Sequence, residues 1–365
     1  MLKQSSARDP EAWADEFHAA HPVPALSLAV ADANGPVWCS ARGTADLELG
    51  VPARPEHRFR IGSVSKVLTT TAAARLVSRG LIELDTPISY WLPDLPPHHR
   101  ATTLRQLFTH RGGVRHYLPR DLDPKQPGGA IFTRPSWTSA EILAAFIDDE
   151  LVAPVGETVS YTSWGYSLAS LVMEVAAGQP FLGLIDSEIA KPFGLTTLVA
   201  DEPAKIVPDR MRGYVGEEER RMLRAQFPGA GWPDAVEGWA HSLPINPAYC
   251  WAGAGFLMSV PDMARFGALH LEASNGPLTS AERTLLFTPL TEKCDASPPL
   301  GLGWRVDRDA ADRLRWHHAG ATAGGRAALV IYPGQGLSIA LASNCMVVPG
   351  DVLGPASEVA DIFAG

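Results

Sequence analysis

A serine and a lysine three residues apart carry the clearest chemical signal in this sequence. Ser63 and Lys66 follow Ile61-Gly62, where a strand-like run gives way to apolar residues at every fourth position. That spacing predicts a helix that ends near Gly80 and has Ser63 at its N-terminus. Residues i and i+3 share one helix face, so the lysine amine would reach the serine hydroxyl. Free backbone N–H groups and the helix dipole would surround that hydroxyl and favour a nucleophile.

The same two residues also fit a purely structural role. Serine is a common N-cap, and a lysine one turn later is usually a solvated surface residue. Of the six lysines in the chain, however, only Lys66 has a serine three positions before it. The choice between the two roles therefore depends on partners elsewhere in the chain.

The elements that would position this pair lie at both ends of the chain. An amphipathic helix is predicted over residues 10–20, and Asn34-Gly35 is typical of a tight hairpin between two strand-like runs. Strand signals return after residue 303, and residues 355–364 can form a closing helix. We therefore predict an α+β fold, in which an antiparallel sheet built from both chain ends is flanked by helices.

The middle of the chain, from about residue 90 to 295, predicts a large and mainly helical insertion without a strand series. Helices are predicted at 139–149, 165–177, 181–190 and 261–273. The predicted division is a discontinuous sheet domain, residues 1–89 and 296–365, and a mainly helical domain, residues 90–295, with the active site at their interface.

Composition excludes several classes of function. The chain has 365 residues, 46% of them hydrophobic, and its formal net charge of −9 argues against a nucleic-acid or anionic-membrane partner. The first twenty residues are rich in charge, and no run of about 18 apolar residues occurs, so we expect a cytoplasmic protein. Four scattered cysteines without a C-x-x-C pair fit reduced, buried thiols, and we expect no metal and no cofactor.

A nucleophilic serine needs a proton acceptor, and the oxyanion formed on its substrate needs hydrogen-bond donors. The chain lacks G-x-S-x-G, H-E-x-x-H, Walker A and G-x-G-x-x-G motifs, which argues against α/β-hydrolase, zinc-protease and nucleotide sites. It offers instead Tyr161-Thr162-Ser163 and, later, His318-Ala319-Gly320, which leads into a predicted strand.

These motifs resemble those of the serine β-lactamase-like and penicillin-binding superfamily. Its members include class C β-lactamases, D-Ala-D-Ala carboxypeptidases of that branch and family VIII esterases, and the chain resembles in particular the mitochondrial serine β-lactamase-like proteins and their bacterial relatives. The segments that carry the resemblance are residues 59–66, 107–117, 161–166, 251–256 and 318–320. Their order and spacing favour this superfamily more strongly than any single motif does.

The resemblance implies a role for each residue of the candidate site. Ser63 would be the nucleophile, Lys66 its proton-transfer partner and Tyr161 the second member of the acid/base pair. An amine held between a hydroxyl and a phenol in a partly dry site can accept a proton near neutral pH. His110 and His116 would serve as scaffold hydrogen-bond partners.

The remaining implied contacts come from the strand motif and from the residue after Thr162. The backbone N–H groups of Ser63 and Ala321 would form the oxyanion hole, with Gly320 beside them. Ser163 stands where the family usually has asparagine, and His318, predicted as a further catalytic residue, stands where it usually has lysine. The lost lysine removes a fixed cation for a substrate carboxylate, so we predict weak β-lactamase activity at best.

The leading hypothesis is a serine hydrolase that forms an acyl-enzyme at Ser63 with a small ester, amide or peptide substrate. A catalytically silent member that binds a ligand or assembles remains an alternative, as does a D-amino-acid-specific peptidase or amidase. Loops near residues 115–135 and 200–250 would determine specificity. The sequence leaves open whether the chain forms a homo-oligomer.

Overall fold

Strands near both ends of the chain surround a middle part that is mainly helical. The computed structural model describes residues 8–122, 136–226, 235–236, 238–294 and 297–364. The strands in this part are β1 (Ala25–Asp32), β2 (Gly35–Asp46), β3 (Val51–Pro52), β4 (Arg58–Arg60), β5 (Val199–Ala200), β6 (Tyr214–Val215), β7 (Ala240–His241), β8 (Phe256–Ser259), β9 (Arg305–Arg308), β10 (Leu314–Thr322), β11 (Gly325–Tyr332) and β12 (Leu337–Ser343). The α-helices are α1 (Pro10–Ala20), α2 (Ser65–Ser78), α3 (Leu104–Phe108), α4 (Pro119–Leu122), α5 (Ser139–Ala144), α6 (Trp164–Ala177), α7 (Phe181–Ile185), α8 (Lys191–Phe193), α9 (Glu217–Gln226), α10 (Trp251–Ala254), α11 (Val260–Ala268), α12 (Ser280–Phe287) and α13 (Leu353–Phe363).

The largest sheet joins the two ends of the chain. Its seven strands lie in the order β3-β2-β1-β12-β11-β10-β9, and each neighbouring pair is antiparallel. At its centre β1 pairs with β12, where Leu28 lies opposite Leu341. The predicted α+β fold with an antiparallel sheet built from both chain ends is therefore confirmed. The division into residues 1–89 with 296–365 and residues 90–295 stays a prediction.

Both faces of this sheet are buried, which explains why β1 is apolar at nearly every position. Ala25 and Ala29 belong to the large core that includes residues of α2 and α11. Leu26 and Leu28, which point to the other face, pack in a second core with Trp13 of α1. A strand that is covered on both faces does not show the alternation of apolar and polar residues that is typical of a half-buried strand.

The ends of the chain largely follow the sequence prediction. Helix α1 covers residues 10–20 as predicted, and a tight turn joins β1 to β2 just before Gly35. The predicted helix at Ser63 begins instead as a 3-10 turn, Gly62–Val64, and α2 starts only at Ser65. The serine is therefore part of a tighter turn that leads into the helix.

The middle of the chain departs further from the prediction. The helices predicted at 139–149 and 261–273 are shorter, ending at Ala144 and Ala268. Strand β8, which was not predicted, pairs with β4 and β5 in a three-stranded sheet. Strands of two to four residues are too short to show an alternating pattern.

Three other predictions meet the structure only in part. All four cysteines are free, but only Cys250 and Cys345 are buried, whereas Cys39 and Cys294 are exposed. In the described part of the chain no single helix is long and apolar enough to cross a membrane, and α6 reaches that length only when joined to residues 181–193 across a bend of 79°. The cytoplasmic location stays a prediction. Parts of the predicted specificity loops, residues 123–135, 227–234 and 237, lie outside the described residues.

Candidate active site

Ser63 lies in the wall of a cavity of about 460 Å³, where β4 leads into the 3-10 turn. The preceding residue, Gly62, has a φ of +51°, a left-handed conformation that glycine adopts without strain. A Cβ atom at Gly62 would also lie 2.9 Å from the backbone nitrogen of Ala321 in β10. Glycine at this position therefore lets the turn that carries Ser63 pack directly against the strand.

Lys66 lies in the first turn of α2 and is fully buried. Its Nζ donates hydrogen bonds to Ser63 Oγ at 3.1 Å, to Ser163 Oγ at 3.1 Å and to the backbone oxygen of Gly253 at 2.8 Å. An ammonium has three N–H donors, so each of them has an oxygen partner. These uncharged oxygens hold the amine in contact with the Ser63 hydroxyl.

Tyr161 approaches the same hydroxyl from the segment before α6. Its phenol donates a hydrogen bond to Ser63 Oγ at 2.7 Å, and the guanidinium carbon of Arg305 lies 5.8 Å from the centre of its ring. Burial raises the pKa of the Tyr161 phenol, but the Lys66 charge, hydrogen bonds to Lys66 and Ser63, and Arg305 together lower it below its usual value of 10. The phenol therefore gives up its proton more readily than a tyrosine in water.

Two histidines hold the segment that precedes α6. Nδ1 of His110 accepts a hydrogen bond from the backbone N–H of Thr162, and Nδ1 of His116 accepts one from that of Ser163, both at 3.3 Å. Burial and then the nearby Lys66 charge lower the pKa of His116 to about 4 and that of His110 well below 6.5. Both rings are neutral at neutral pH and act as hydrogen-bond acceptors for the backbone, in agreement with the sequence prediction.

Strand β10 forms the part of the cavity wall next to Ser63. Ala319, Gly320 and Ala321 line the cavity. A Cβ atom at Gly320 would lie 2.0 Å from the carbonyl oxygen of Ile61 and 2.8 Å from the backbone nitrogen of Ser63. The strand and the turn are thus in backbone contact, which a side chain at Gly320 would prevent. The backbone nitrogens of Ser63 and Ala321, the two predicted oxyanion donors, both lie at this contact.

His318 lies on the same strand without lining the cavity. It is 2% exposed, and its Nδ1 lies 2.7 Å from the carbonyl oxygen of Ala319. Burial, then Arg305 and Lys66, lower the pKa of His318 well below 6.5, so the ring is neutral. A catalytic role for His318 stays a prediction. One hydrogen-bonded group, called here the Ser63 cluster, brings together Ser63, Lys66, Tyr161 and Ser163.

Two neighbours of the Ser63 cluster were missed by sequence reasoning. The first is the Gly253 carbonyl of α10, which accepts a hydrogen bond from Lys66. Any residue type can supply a backbone oxygen, so the sequence around Gly253 does not predict this contact. Arg305 begins β9 and lies opposite His317 of β10. Only the pairing of these two strands reveals that Arg305 lies near Tyr161.

The rest of the cavity wall is mainly apolar. Side chains of this kind that line it include Val215, Leu243, Ile245, Tyr249 and Met346. Among the described residues that line the cavity, Glu219 and Arg326 carry the side chains that can be charged at neutral pH. The cavity can therefore hold an apolar group next to Ser63.

The antiparallel sheet and its flanking helices form a fold of the β-lactamase and penicillin-binding superfamily of serine hydrolases. The sequence profile of the Beta-lactamase family matches residues 11–362, and the chain belongs to this family. The resemblance inferred from the sequence motifs is thus confirmed.

Curated relatives and solved structures agree with this assignment. The serine beta-lactamase-like protein LACTB, mitochondrial, of Homo sapiens is 25% identical over 306 residues, which cover 67% of this chain and 53% of that protein. Esterase EstB of Burkholderia gladioli is 30% identical over 243 residues, which cover 62% of this chain and 60% of the esterase. The chain therefore spans about half the length of LACTB.

Among solved structures, the D-amino acid amidase from Ochrobactrum anthropi SV3, in complex with L-phenylalanine, has a TM-score of 0.78 to this chain. The match covers 94% of both chains at 22% sequence identity. At this level of identity the likeness establishes a shared fold.

Proposed function

We propose that the protein is a serine hydrolase that forms an acyl-enzyme at Ser63 with small ester, amide or peptide substrates. The observation that carries this proposal is that Ser63 Oγ accepts hydrogen bonds from Lys66 Nζ at 3.1 Å and from the Tyr161 phenol at 2.7 Å, beside the cavity. A hydroxyl between an amine and a phenol of lowered pKa has a direct route for losing its proton. This is what an activated serine nucleophile requires.

The reactive form of the Lys66–Tyr161 pair holds one proton fewer than a lysine ammonium together with a neutral phenol. In the acylation step this pair takes up the Ser63 proton as Oγ bonds to the carbonyl carbon of the substrate. The oxyanion that forms accepts hydrogen bonds from the backbone N–H groups of Ser63 and Ala321. The pair then gives the proton to the leaving oxygen or nitrogen, whose bond to the carbonyl carbon breaks. The acyl group remains on Ser63 as an ester.

In the second step, a water molecule gives a proton to the same pair and attacks the acyl carbon. Ser63 leaves the tetrahedral intermediate and takes this proton, which restores the starting state. Lys66 is also bonded to Ser163 and Gly253, so its amine keeps its orientation while the proton moves. A donor that is held in advance avoids reorganisation in the transition state.

The apolar cavity supports substrates with an apolar acyl group, and the esterase and the amidase among the similar proteins support ester and amide carbonyls as targets. The substitutions at Ser163 and His318 relative to the family pattern support slow turnover of β-lactams. We expect nitrocefin to be hydrolysed far more slowly than p-nitrophenyl esters; rapid nitrocefin turnover at neutral pH would contradict this.

Replacement of the proposed nucleophile tests the function directly. The Ser63→Ala variant should lose p-nitrophenyl ester hydrolysis and labelling by a fluorophosphonate probe, because the acyl group has no acceptor. Ser78→Ala, at an exposed serine at the end of the same helix, should retain both. A Ser63→Ala variant that keeps both activities contradicts the assignment, and an unlabelled wild type supports a catalytically silent protein.

A further inference from the structure

Glu219 is a buried carboxyl in the wall of the cavity that contains Ser63. It lies in α9 and is 1% exposed. Its Oε2 accepts hydrogen bonds from the backbone N–H of Met346 at 3.3 Å and from Cys345 Sγ at 3.5 Å. Its Oε1 has no hydrogen-bond partner among the described residues and no contact with solvent. One half of this carboxyl is therefore unsatisfied.

The charged neighbours of Glu219 do not neutralise it. Nη1 of the next residue, Arg220, donates a hydrogen bond to Oε2 of Glu217 at 3.1 Å. Arg326, the other charged side chain of the cavity wall, donates to the carbonyl oxygen of Gly350 at 2.6 Å. Burial raises the pKa of the Glu219 carboxyl to about 7, and hydrogen bonds from Cys345 and Met346 only partly oppose this. No cation from the described residues therefore pairs with the carboxylate form of Glu219.

Such a carboxyl is costly to the folded protein. A buried acceptor without a partner destabilises the fold, and a buried charge without a counter-charge does so more strongly. An apolar residue of similar size would fill the same space without this penalty. Oε2 has two hydrogen-bond donors, whereas Oε1 has none among the described residues.

The surroundings of Glu219 indicate what kind of group would complete it. Val215, Leu243 and Ile245 line the same cavity, which Ser63 also lines. The matching ligand has an apolar body, one positive charge and a carbonyl within reach of the serine. An ammonium is compact and donates readily to a single carboxylate oxygen.

We propose that Glu219 binds the ammonium group of the acyl part of the substrate, so that the preferred substrates are esters or amides of amino acids with apolar side chains. This inference rests on the function proposed for Ser63. Binding requires the carboxyl to rotate so that Oε1 faces the cavity, and the final torsion of a glutamate side chain is soft enough to allow this. In the mainly apolar cavity the resulting ion pair is stronger than in water.

Three methyl esters test this inference, those of D-phenylalanine, of L-phenylalanine and of 3-phenylpropionic acid, with product formation followed by chromatography. The third ester differs from the first two by the missing ammonium group. The wild type should hydrolyse one phenylalanine ester with a kcat/KM about 10- to 100-fold above that of the 3-phenylpropionate, as a charge-assisted hydrogen bond implies.

The Glu219→Gln variant should lose most of this preference, whereas Glu218→Gln, which changes an exposed acid on the same helix, should keep it. The ratio of kcat/KM for the preferred phenylalanine ester to kcat/KM for the 3-phenylpropionate ester does not depend on how much of the variant is folded. Turnover by the wild type without an ammonium preference overturns the role of Glu219. So does an equal loss on all three esters in Glu219→Gln, which would indicate a positioning role through Met346.

The two proposals fail in different ways. Turnover of all three esters with no preference leaves the nucleophile intact and overturns only the inference about Glu219. Absence of turnover on all three, together with no fluorophosphonate labelling, overturns the function proposed for Ser63 and the inference that depends on it.

Discussion

Lys66 and Glu219 are both buried beside the same cavity, but their surroundings differ. Lys66 donates to three oxygens, whereas within the described part of the chain Glu219 has partners for only one of its two carboxylate oxygens. A buried polar group with all its partners is held in one position, whereas one that lacks a partner is destabilised until a ligand supplies it. We infer that the side of the cavity at Ser63, behind which Lys66 lies, determines the reaction, and that the wall with Glu219 selects the substrate.

The largest expected effect comes from removing the amine of the Ser63 cluster. Lys66→Met should lower kcat/KM for a p-nitrophenyl ester by at least about 10³-fold, because Ser63 loses part of its proton-transfer pair. Initial rates and fluorophosphonate labelling measure this effect. Lys191→Met, at an exposed lysine paired with Asp186, is the matched control and should behave as wild type. A Lys66→Met variant that keeps a tenth of the activity or more would argue against the proposed role.

The next effect concerns the backbone contact between β10 and the turn of Ser63. Gly320→Ala would place a Cβ atom 2.0 Å from the Ile61 carbonyl oxygen, so strand and turn must separate. We expect kcat/KM to fall by about 10²-fold, the usual cost of a misplaced oxyanion donor. Gly334→Ala, where the added carbon meets nothing within 4 Å, should leave the rate unchanged. Equal rates for the two variants would show that the contact does not shape the site.

The third prediction concerns stability on the Glu219 wall. Burial raises the pKa of Glu219 from 4.5 to about 7, so the folded state binds this proton more tightly than the unfolded state. The free energy of unfolding should therefore fall as the pH rises from 4.5 to 7 and stay level above that, by on the order of 3 kcal/mol from this group. Urea unfolding of wild type and Glu219→Gln at pH 5 and pH 8 measures the difference.

In Glu219→Gln this decline should be missing, so the variant gains stability relative to wild type as the pH rises. Glu218→Gln is exposed and should follow the wild-type curve. Parallel curves for wild type and Glu219→Gln would mean that Glu219 is no more strained than an ordinary surface acid.

The smallest effect is expected at Arg305, which lies outside the hydrogen bonds of the Ser63 cluster. Its charge contributes to the lowered pKa of Tyr161, so Arg305→Gln should raise that pKa. If the deprotonated phenol takes part in the reaction, the rising limb of log kcat/KM against pH should move to higher pH by less than about one unit. Arg308→Gln, an exposed arginine on the same strand, should not move it. An unchanged profile in Arg305→Gln would show that ionisation of Tyr161, as influenced by Arg305, does not set the pH dependence of the reaction.

Sequence alone predicted the parts of the site that are local in the chain. The spacing of Ser63 and Lys66 predicts their contact because a helical turn brings residues three apart onto one face. The hairpin at Asn34-Gly35 and helix α1 also follow from short patterns. Tyr161 and Ala321, by contrast, were assigned to the site from the order of the family motifs and not from any physical rule of spacing.

Tertiary structure decided the contacts that join distant segments. Tyr161 meets Ser63 across 98 positions, and the Gly253 carbonyl meets Lys66 across 187. Packing of α6 and α10 against α2 sets these distances, and no residue pattern encodes them. The unsatisfied oxygen of Glu219 likewise exists only because α9 folds over the cavity, since burial and lack of a partner are properties of the assembled fold and not of a residue type.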